Sequence, residues 1–137
     1  MSQTVHDPDA AQLSERDVLT LHHLVAEVSY AFDSGEYAQR FPAVLTEDVV
    51  YENPGVLRLE GRDALVATLE GMTGRALSHH TSTVTVTATG PDTATCRSKV
   101  ITFRSGGRFS VGEFHDTVRR DPSGSWKLAQ RLVRPIV

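Results

Sequence analysis

Apolar residues change their spacing near residue 79, and this change sets the order of secondary structure along the chain. Before it they recur every three or four positions, which is typical of helices, and after it they alternate, which is typical of strands. Turn sequences rich in Gly, Pro, Ser and Asp divide the alternating part into four predicted strands, at 79–89, 93–103, 109–119 and 126–135. Helices followed by antiparallel strands predict an α+β domain with its helices on one face of a curved sheet.

The first half of the chain predicts three helices and one strand. Ser14 can cap a helix N-terminus, Asp17 follows three residues later, and apolar residues then recur at helical spacing as far as Gly35. The predicted elements are a helix at 14–35, a helix at 38–45, a strand at 49–53 and a helix at 64–69. Residues 1–13 are polar and aperiodic, so we expect a flexible N-terminal arm followed by one domain over residues 14–137.

Composition excludes several classes of partner. Lys and Arg total 14 against 17 Asp and Glu, and the formal net charge of −3 is not that of a nucleic-acid-binding protein. Cys96 is the only cysteine, which excludes an internal disulfide and a thiolate metal cluster. No segment approaches the roughly 18 consecutive apolar residues of a membrane helix, and the start of the chain has no apolar leader. We therefore expect a cytoplasmic protein with neither a nucleic-acid nor a membrane partner.

Strand parity assigns side chains to the inner and outer faces of the predicted sheet. In the first strand the valines share a face with His80, which predicts that His80 points inward and His79 outward. In the second strand the small residues share a face with Ser98, so Ser98 is also predicted to face inward. A few polar groups on an otherwise apolar inner face, in a chain with only 39% apolar residues, predict a polar-lined cavity.

The third strand has two possible inner faces. One carries Glu113 and His115, and the other carries Phe114 and Asp116. Alternation alone does not choose between them. If Glu113 and His115 face inward, the cavity gains two titratable groups; if they face outward, they belong to an ordinary solvated strand.

Several segments together resemble the SnoaL-like branch of the nuclear transport factor 2-like superfamily. They are the three helices, Tyr-Glu-Asn-Pro-Gly at 51–55, Gly-Arg-Asp-Ala at 61–64 and the four strands that end with Gly-Ser-Trp-Lys-Leu at 124–128. The resemblance covers residues 14–135. It implies a cone-like α+β barrel, with three N-terminal helices packed on a curved, mostly antiparallel sheet around a pocket, and neither metal nor other cofactor.

Among the enzymes of that superfamily the chain is most similar to scytalone dehydratases, polyketide cyclases, ketosteroid isomerases and limonene epoxide hydrolases. The dehydratase pattern implies that His80 is the catalytic histidine, that Asp33 orients it and that Tyr51 contacts substrate. The polar pair of its third long strand falls on Glu113 and His115, which favours the inward direction for that face.

The chain also departs from these enzymes at particular positions. Phe32 stands where the dehydratases have a tyrosine, with Tyr30 close by, and Ser98 replaces their second histidine. Asn53 aligns with the general-base carboxylate of the isomerases, and an amide cannot abstract a proton from carbon. Residues 97–99 lack the carboxylate with which the epoxide hydrolases activate water.

The strand faces and the resemblance together predict a cofactor-independent acid/base enzyme. His80, oriented by Asp33, moves a proton, while Tyr51 and Asn53 hydrogen-bond the developing oxyanion. The expected substrate is a small apolar or polycyclic, polyketide-like molecule that undergoes dehydration, isomerisation or cyclisation. Further expected binding residues are Ser98, Glu113, His115 and Tyr30.

A second hypothesis is a module that binds a small molecule or assembles with a partner without catalysing a reaction. The threonines of the outer sheet face, with Phe103 or Phe114, would then form the surface of a homodimer. A cavity filled by its own side chains, with His80 beyond hydrogen-bond distance of Asp33, would favour this hypothesis.

Overall fold

The computed structural model describes residues 12–136; residue 137 and residues 1–11, which make up most of the predicted N-terminal arm, lie outside that part. The helices of the described part are α1 (Glu15–Asp33), α2 (Tyr37–Val44) and α3 (Arg62–Glu70). Its strands are β1 (Leu45–Asn53), β2 (Leu57–Glu60), β3 (Ser78–Gly90), β4 (Thr93–Phe103), β5 (Phe109–Arg120) and β6 (Trp126–Pro135), with a 3-10 turn at Ser105–Gly107.

The strands of the described part form one sheet in the order β2-β1-β6-β5-β4-β3. Strands β1 and β6 pair in parallel, and all other neighbours are antiparallel. Helix α1 packs on β3 and β6, while α2 and α3 pack on β1, so the helices share one face of the sheet. The predicted α+β class is confirmed. The prediction missed β2, whose four residues alternate too briefly to be distinguished from a loop.

Helix α1 begins at the predicted cap and carries much of the core. The Asp17 N–H donates to Ser14 Oγ at 3.0 Å. Three turns of the helix bury Leu21, Val25 and Val28 almost completely, and each such side chain contributes about 1.5–3 kcal/mol of hydrophobic stabilisation. The helix ends at Asp33, which is thereby held opposite the first residues of β3.

Strand β3 contains a bulge that reverses the direction of its side chains. Its pairing with β4 gains one residue between Ser82 and Thr85, and Thr83 within this bulge has a φ of +54°. After the bulge the even-numbered residues face the helices, but before it the odd-numbered ones do. His79 therefore faces inward and His80 outward. The opposite prediction is wrong because it continued the alternation of the valines through the bulge.

Strand β5 turns Phe114 and Asp116 toward the helices, where they are 5% and 2% exposed. Glu113 and His115 lie on the outer face, so the inward direction that the resemblance favoured for them is wrong. The hairpin between β4 and β5 pairs Phe103 with Phe109 and sets this register. The apolar ring of Phe114 is thereby buried, which stabilises the observed face.

The outer face of the sheet carries Phe103, which is 40% exposed. Phe114 is buried on the inner face, so of the two phenylalanines predicted for a homodimer surface only Phe103 is available. The homodimer itself stays a prediction. Within residues 12–136, no helix has both the length and the apolar character needed to cross a membrane.

Candidate active site

The helices and the inner side of the sheet surround a cavity of about 290 Å³. Its polar lining includes Tyr51, Asn53 and His79. Its apolar wall is made of side chains from α1, α3 and the segments next to them: Phe32, Val56, Leu57, Leu65, Leu69 and Met72. A largely apolar cavity with a few polar groups is typical of a small-molecule site.

A hydrogen-bonded pair, Asp33 and His79, joins the end of α1 to the start of β3. Asp33 Oδ1 accepts from the His79 ring nitrogen Nδ1 at 2.6 Å, and Asp33 Oδ2 accepts from the His79 backbone N–H at 3.0 Å. The two side chains are 19% and 20% exposed. Because a carboxylate can only accept, Nδ1 carries the proton and Nε2 is the basic nitrogen of the neutral ring.

His80 is not part of this pair, so the predicted His80–Asp33 contact is wrong. The His80 side chain is exposed; its Nε2 lies 2.8 Å from Ser78 Oγ, and its ring packs edge-on against Phe103 with centroids 5.1 Å apart. The separation of His80 from Asp33 is thus one of the two conditions that favour a non-catalytic module. The other condition is not met, because the cavity is unfilled and the neighbouring His79 contacts Asp33 instead.

Tyr51 and Asn53 lie two residues apart on β1 and face the same cavity, as their alternation predicts. Burial raises the pKa of the Tyr51 hydroxyl, and the charges of Arg131 and Arg104 partly offset the rise. The phenol is therefore protonated at neutral pH and can donate a hydrogen bond. The buried Oδ1 of Asn53 accepts no hydrogen bond from the described residues.

Asp116 and Arg131 form an ion pair inside the sheet, next to the cavity wall. Arg131 donates to both carboxylate oxygens at 2.8 Å, and its guanidinium lies 3.8 Å from the centre of the Phe114 ring. Arg131 faces inward because the pairing of β6 with β5 also gains a residue, at Ala129. The sequence alone predicted no role for Arg131. With the correct strand register, the pairing of Arg131 with Asp116 on the neighbouring strand would have predicted this ion pair.

Two further predicted binding residues do not line the cavity. Ser98 faces inward as predicted and is 1% exposed, but it lies opposite the bulge of β3. Its Oγ has no hydrogen-bond partner among the described residues. Tyr30 is 68% exposed on the outer side of α1, because two helical positions rotate it by about 200° from the buried Val28.

Glu113 and His115 form a polar cluster with Arg97 on the outer face of the sheet. Glu113 lies 3.3 Å from the Arg97 guanidinium and 3.9 Å from His115 Nε2. These residues are on the opposite side of the sheet from His79 and cannot contact a ligand in the cavity. Among residues 12–136, no three His, Cys, Asp or Glu side chains are grouped as a metal ion requires.

Two arginines that the sequence analysis did not single out, Arg75 and Arg104, border the cavity. Arg75 donates to the Tyr37 hydroxyl and lies over the Tyr37 ring, and Arg104 donates to the Gly74 carbonyl oxygen at 3.5 Å. Both residues are exposed, so they lie where the cavity meets solvent. Neither forms an ion pair with an acidic side chain of residues 12–136. Both follow a strand or helix in connecting segments, where periodicity gives no signal.

Solved structures share this fold over nearly the whole chain. A nuclear transport factor 2-like protein with a cystatin-like fold from Novosphingobium aromaticivorans is 29% identical with a TM-score of 0.75, covering 88% of this chain and 82% of that one. A candidate scytalone dehydratase from the same organism is 25% identical with a TM-score of 0.74, covering 89% and 85%. A candidate aromatic ring hydroxylase, also from that organism, is 22% identical with a TM-score of 0.76, covering 92% and 93%, and shows the fold alone.

The family comparison agrees with the structural one. No curated protein matches the chain. Residues 14–132 match the model of the SnoaL-like domain, and this range includes every element from α1 to most of β6. The chain therefore belongs to the SnoaL-like family, within the nuclear transport factor 2-like superfamily.

Proposed function

We propose that this protein is an enzyme that removes a proton from carbon next to a carbonyl group of a small, largely apolar substrate. The reaction is a dehydration, isomerisation or cyclisation and uses only side chains of the chain itself. The observation that carries the proposal is the Asp33–His79 pair beside a cavity that also presents Tyr51 and Asn53. His79 takes the role that the sequence analysis gave to His80.

The proposed base is Nε2 of His79. Asp33 occupies Nδ1, which leaves Nε2 as the free nitrogen of a ring that lines the cavity. Nε2 accepts the proton as the C–H bond breaks, and the electron pair of that bond forms an enolate. Asp33 then stabilises the imidazolium, since it holds an anionic oxygen 2.6 Å from the protonated Nδ1.

The proposed oxyanion site consists of the Tyr51 hydroxyl and the Asn53 amide. Both lie on one wall of the cavity, and the raised pKa of Tyr51 keeps its proton available for donation. Donors fixed before the reaction stabilise the negative charge that develops on the carbonyl oxygen. Return of the proton from His79 to another carbon completes an isomerisation, and its transfer to a β-hydroxyl group releases water in a dehydration.

The structural neighbours support this class of reaction without identifying the substrate. This chain is 25% identical to the neighbour described as a scytalone dehydratase, and the match covers 85% of that neighbour. Among residues 12–136, His79 is the only histidine that lines the cavity, and the buried Ser98 does not line it. We therefore place the catalytic proton transfer on His79 alone.

The test measures removal of a proton from carbon next to a carbonyl, the step with which the proposed reactions begin, through exchange of that proton with solvent. 2-Tetralone, a bicyclic ketone, is incubated with the protein in D₂O, and loss of the proton signals beside its carbonyl is followed by ¹H NMR. We expect the wild-type protein to accelerate exchange and His79→Ala to slow it by about 100-fold or more.

The adjacent histidine provides the matched control. His80→Ala removes the same side chain from the exposed face of the same strand, and we expect it to exchange 2-tetralone at the wild-type rate. Equal exchange by wild type and His79→Ala, or no acceleration by the wild-type protein, would contradict the proposed function. Retained binding of 2-tetralone without exchange would support the non-catalytic module.

A further inference from the structure

We propose that the natural ligand of the cavity carries a carboxylate, which Arg75 and Arg104 bind at the cavity mouth while the apolar remainder lies inside. This inference rests on the proposed function only in taking the same cavity as the substrate site. It narrows the substrate class from small apolar molecules to small carboxylic acids with an apolar body.

Within residues 12–136, no acidic side chain neutralises the charges of Arg75 and Arg104. Both side chains border the cavity, and neither lies within ion-pair distance of an acid of residues 12–136. Arg58, on the nearby β2, instead contacts Glu52 and Glu60 at 3.2 and 2.9 Å. The cavity mouth thus holds two guanidinium groups for which an anion is the complementary partner.

Two buried or half-buried acids near the cavity, Asp33 and Asp116, already have partners. Asp33 is occupied by both the ring and the backbone of His79, and Asp116 is occupied by Arg131. Neither carboxylate can turn to the cavity mouth without losing these hydrogen bonds. Neither of these two carboxylates therefore offsets the positive charge of the cavity mouth.

The backbone at Gly74 connects the two arginines of the cavity mouth. Arg104 donates to the carbonyl oxygen of Gly74, the residue that precedes Arg75, so the two guanidinium groups belong to one short stretch of the mouth. The Arg75 group is also held by the ring and hydroxyl of Tyr37. A planar guanidinium held in one orientation suits the two oxygens of a carboxylate.

The size and lining of the cavity define the rest of the ligand. A cavity of about 150 Å³ accommodates benzene, so the volume of about 290 Å³ here suits one substituted ring or two fused rings. Phe32, Leu65 and Leu69 present apolar surface to that body. 2-Naphthoate has both features and serves as the probe, and the neutral isostere 2-naphthamide serves as its partner.

The test is a titration of the full chain with each probe, followed by ¹⁵N-correlated NMR, at low ionic strength. We expect 2-naphthoate to shift cavity residues and to bind at least about tenfold more tightly than 2-naphthamide. In Arg75→Gln and Arg104→Gln the preference falls, and in the double variant the two probes bind about equally. Equal affinity of the wild-type protein for both probes, no binding of 2-naphthoate, or a preference that survives in the double variant would overturn the inference.

Two controls separate this inference from general charge and from catalysis. Arg108→Gln removes an arginine that donates to the Ser105 carbonyl oxygen and does not line the cavity, so the preference is expected to remain. His79→Gln is expected to abolish exchange of 2-tetralone yet keep the preference for 2-naphthoate. Loss of the preference in Arg108→Gln would show that it reflects overall charge and would also overturn the inference.

Discussion

Asp116 and Arg131 are cross-strand partners on β5 and β6 that form two hydrogen bonds of 2.8 Å in the interior. Their side chains are 0% and 2% exposed, so removing either leaves the other as an uncompensated buried charge. We expect Asp116→Ala to lower the free energy of unfolding by about 3–5 kcal/mol, as measured by urea denaturation.

The matched comparison for this pair is the double variant Asp116→Leu/Arg131→Met. It removes both charges and keeps apolar volume, so it is expected to be more stable than either single substitution. A double variant as unstable as the sum of the two single ones would show that the pair does not act as a unit.

Asp33→Asn tests how His79, the proposed base, is oriented. An asparagine that presents its NH₂ group to Nδ1 would favour the wrong tautomer of His79, with the proton on Nε2. We expect exchange of 2-tetralone to fall by at least about 100-fold while the melting temperature changes little. Glu27→Gln alters an exposed acid of the same helix and should leave exchange unchanged.

Asp17→Asn tests a pH-dependent contribution to stability. Hydrogen bonding from the Trp126 indole, above all, lowers the pKa of Asp17, with further lowering by Ser14 and Arg120. A carboxyl whose pKa is lowered by folding stabilises the protein above its unfolded pKa of about 3.9 and loses that effect as the pH falls through the folded value.

The expected result is a melting temperature for Asp17→Asn about 3–6 °C below wild type at pH 7, with the difference shrinking as the pH falls below about 4. Glu15→Gln is the control, because Glu15 is an exposed acid in the same helical turn. A difference that is constant with pH would show that the charge of Asp17 is not responsible.

Thr83→Gly tests the strain of the bulge in β3. A β-branched residue is unfavourable at the φ of +54° that Thr83 adopts, and glycine is not. We expect Thr83→Gly to raise the free energy of unfolding by up to about 1 kcal/mol. Thr85→Gly, at an exposed position with regular pairing, is expected to lower it by about 0.5–1 kcal/mol. A loss of stability in both variants would show that Thr83 is unstrained.

The class of fold followed from the sequence because it depends on the spacing of many apolar residues. The helix stripe of Leu21, Val25 and Val28 and the four long strands repeat their pattern often enough to be recognised. Tyr51 and Asn53 were also placed correctly relative to each other, since two residues on one strand without a bulge between them share a face.

The site could not be predicted in full because one added residue in a strand reverses every side chain beyond it. Thr83 and Ala129 mark the two places, and neither residue type indicates a bulge. The error at His79 follows from the first bulge, and the second brings Arg131 inward opposite Asp116. Arg75 and Arg104 were missed for another reason: they lie between regular elements, where no period applies.

Because of the bulge at Thr83, the number of residues between the histidines and the valines of β3 determines whether His79 or His80 faces the cavity. A codon lost between Ser82 and Thr85 would restore plain pairing with β4 and, with the valines fixed in the core, would exchange the two histidines between cavity and solvent. Small insertions and deletions at this point can therefore change which of two adjacent side chains faces the cavity while hydrophobic content stays the same. When related chains are aligned, the residue equivalent to His79 must accordingly be identified from the segment before the bulge, and not by counting back from the valines after it.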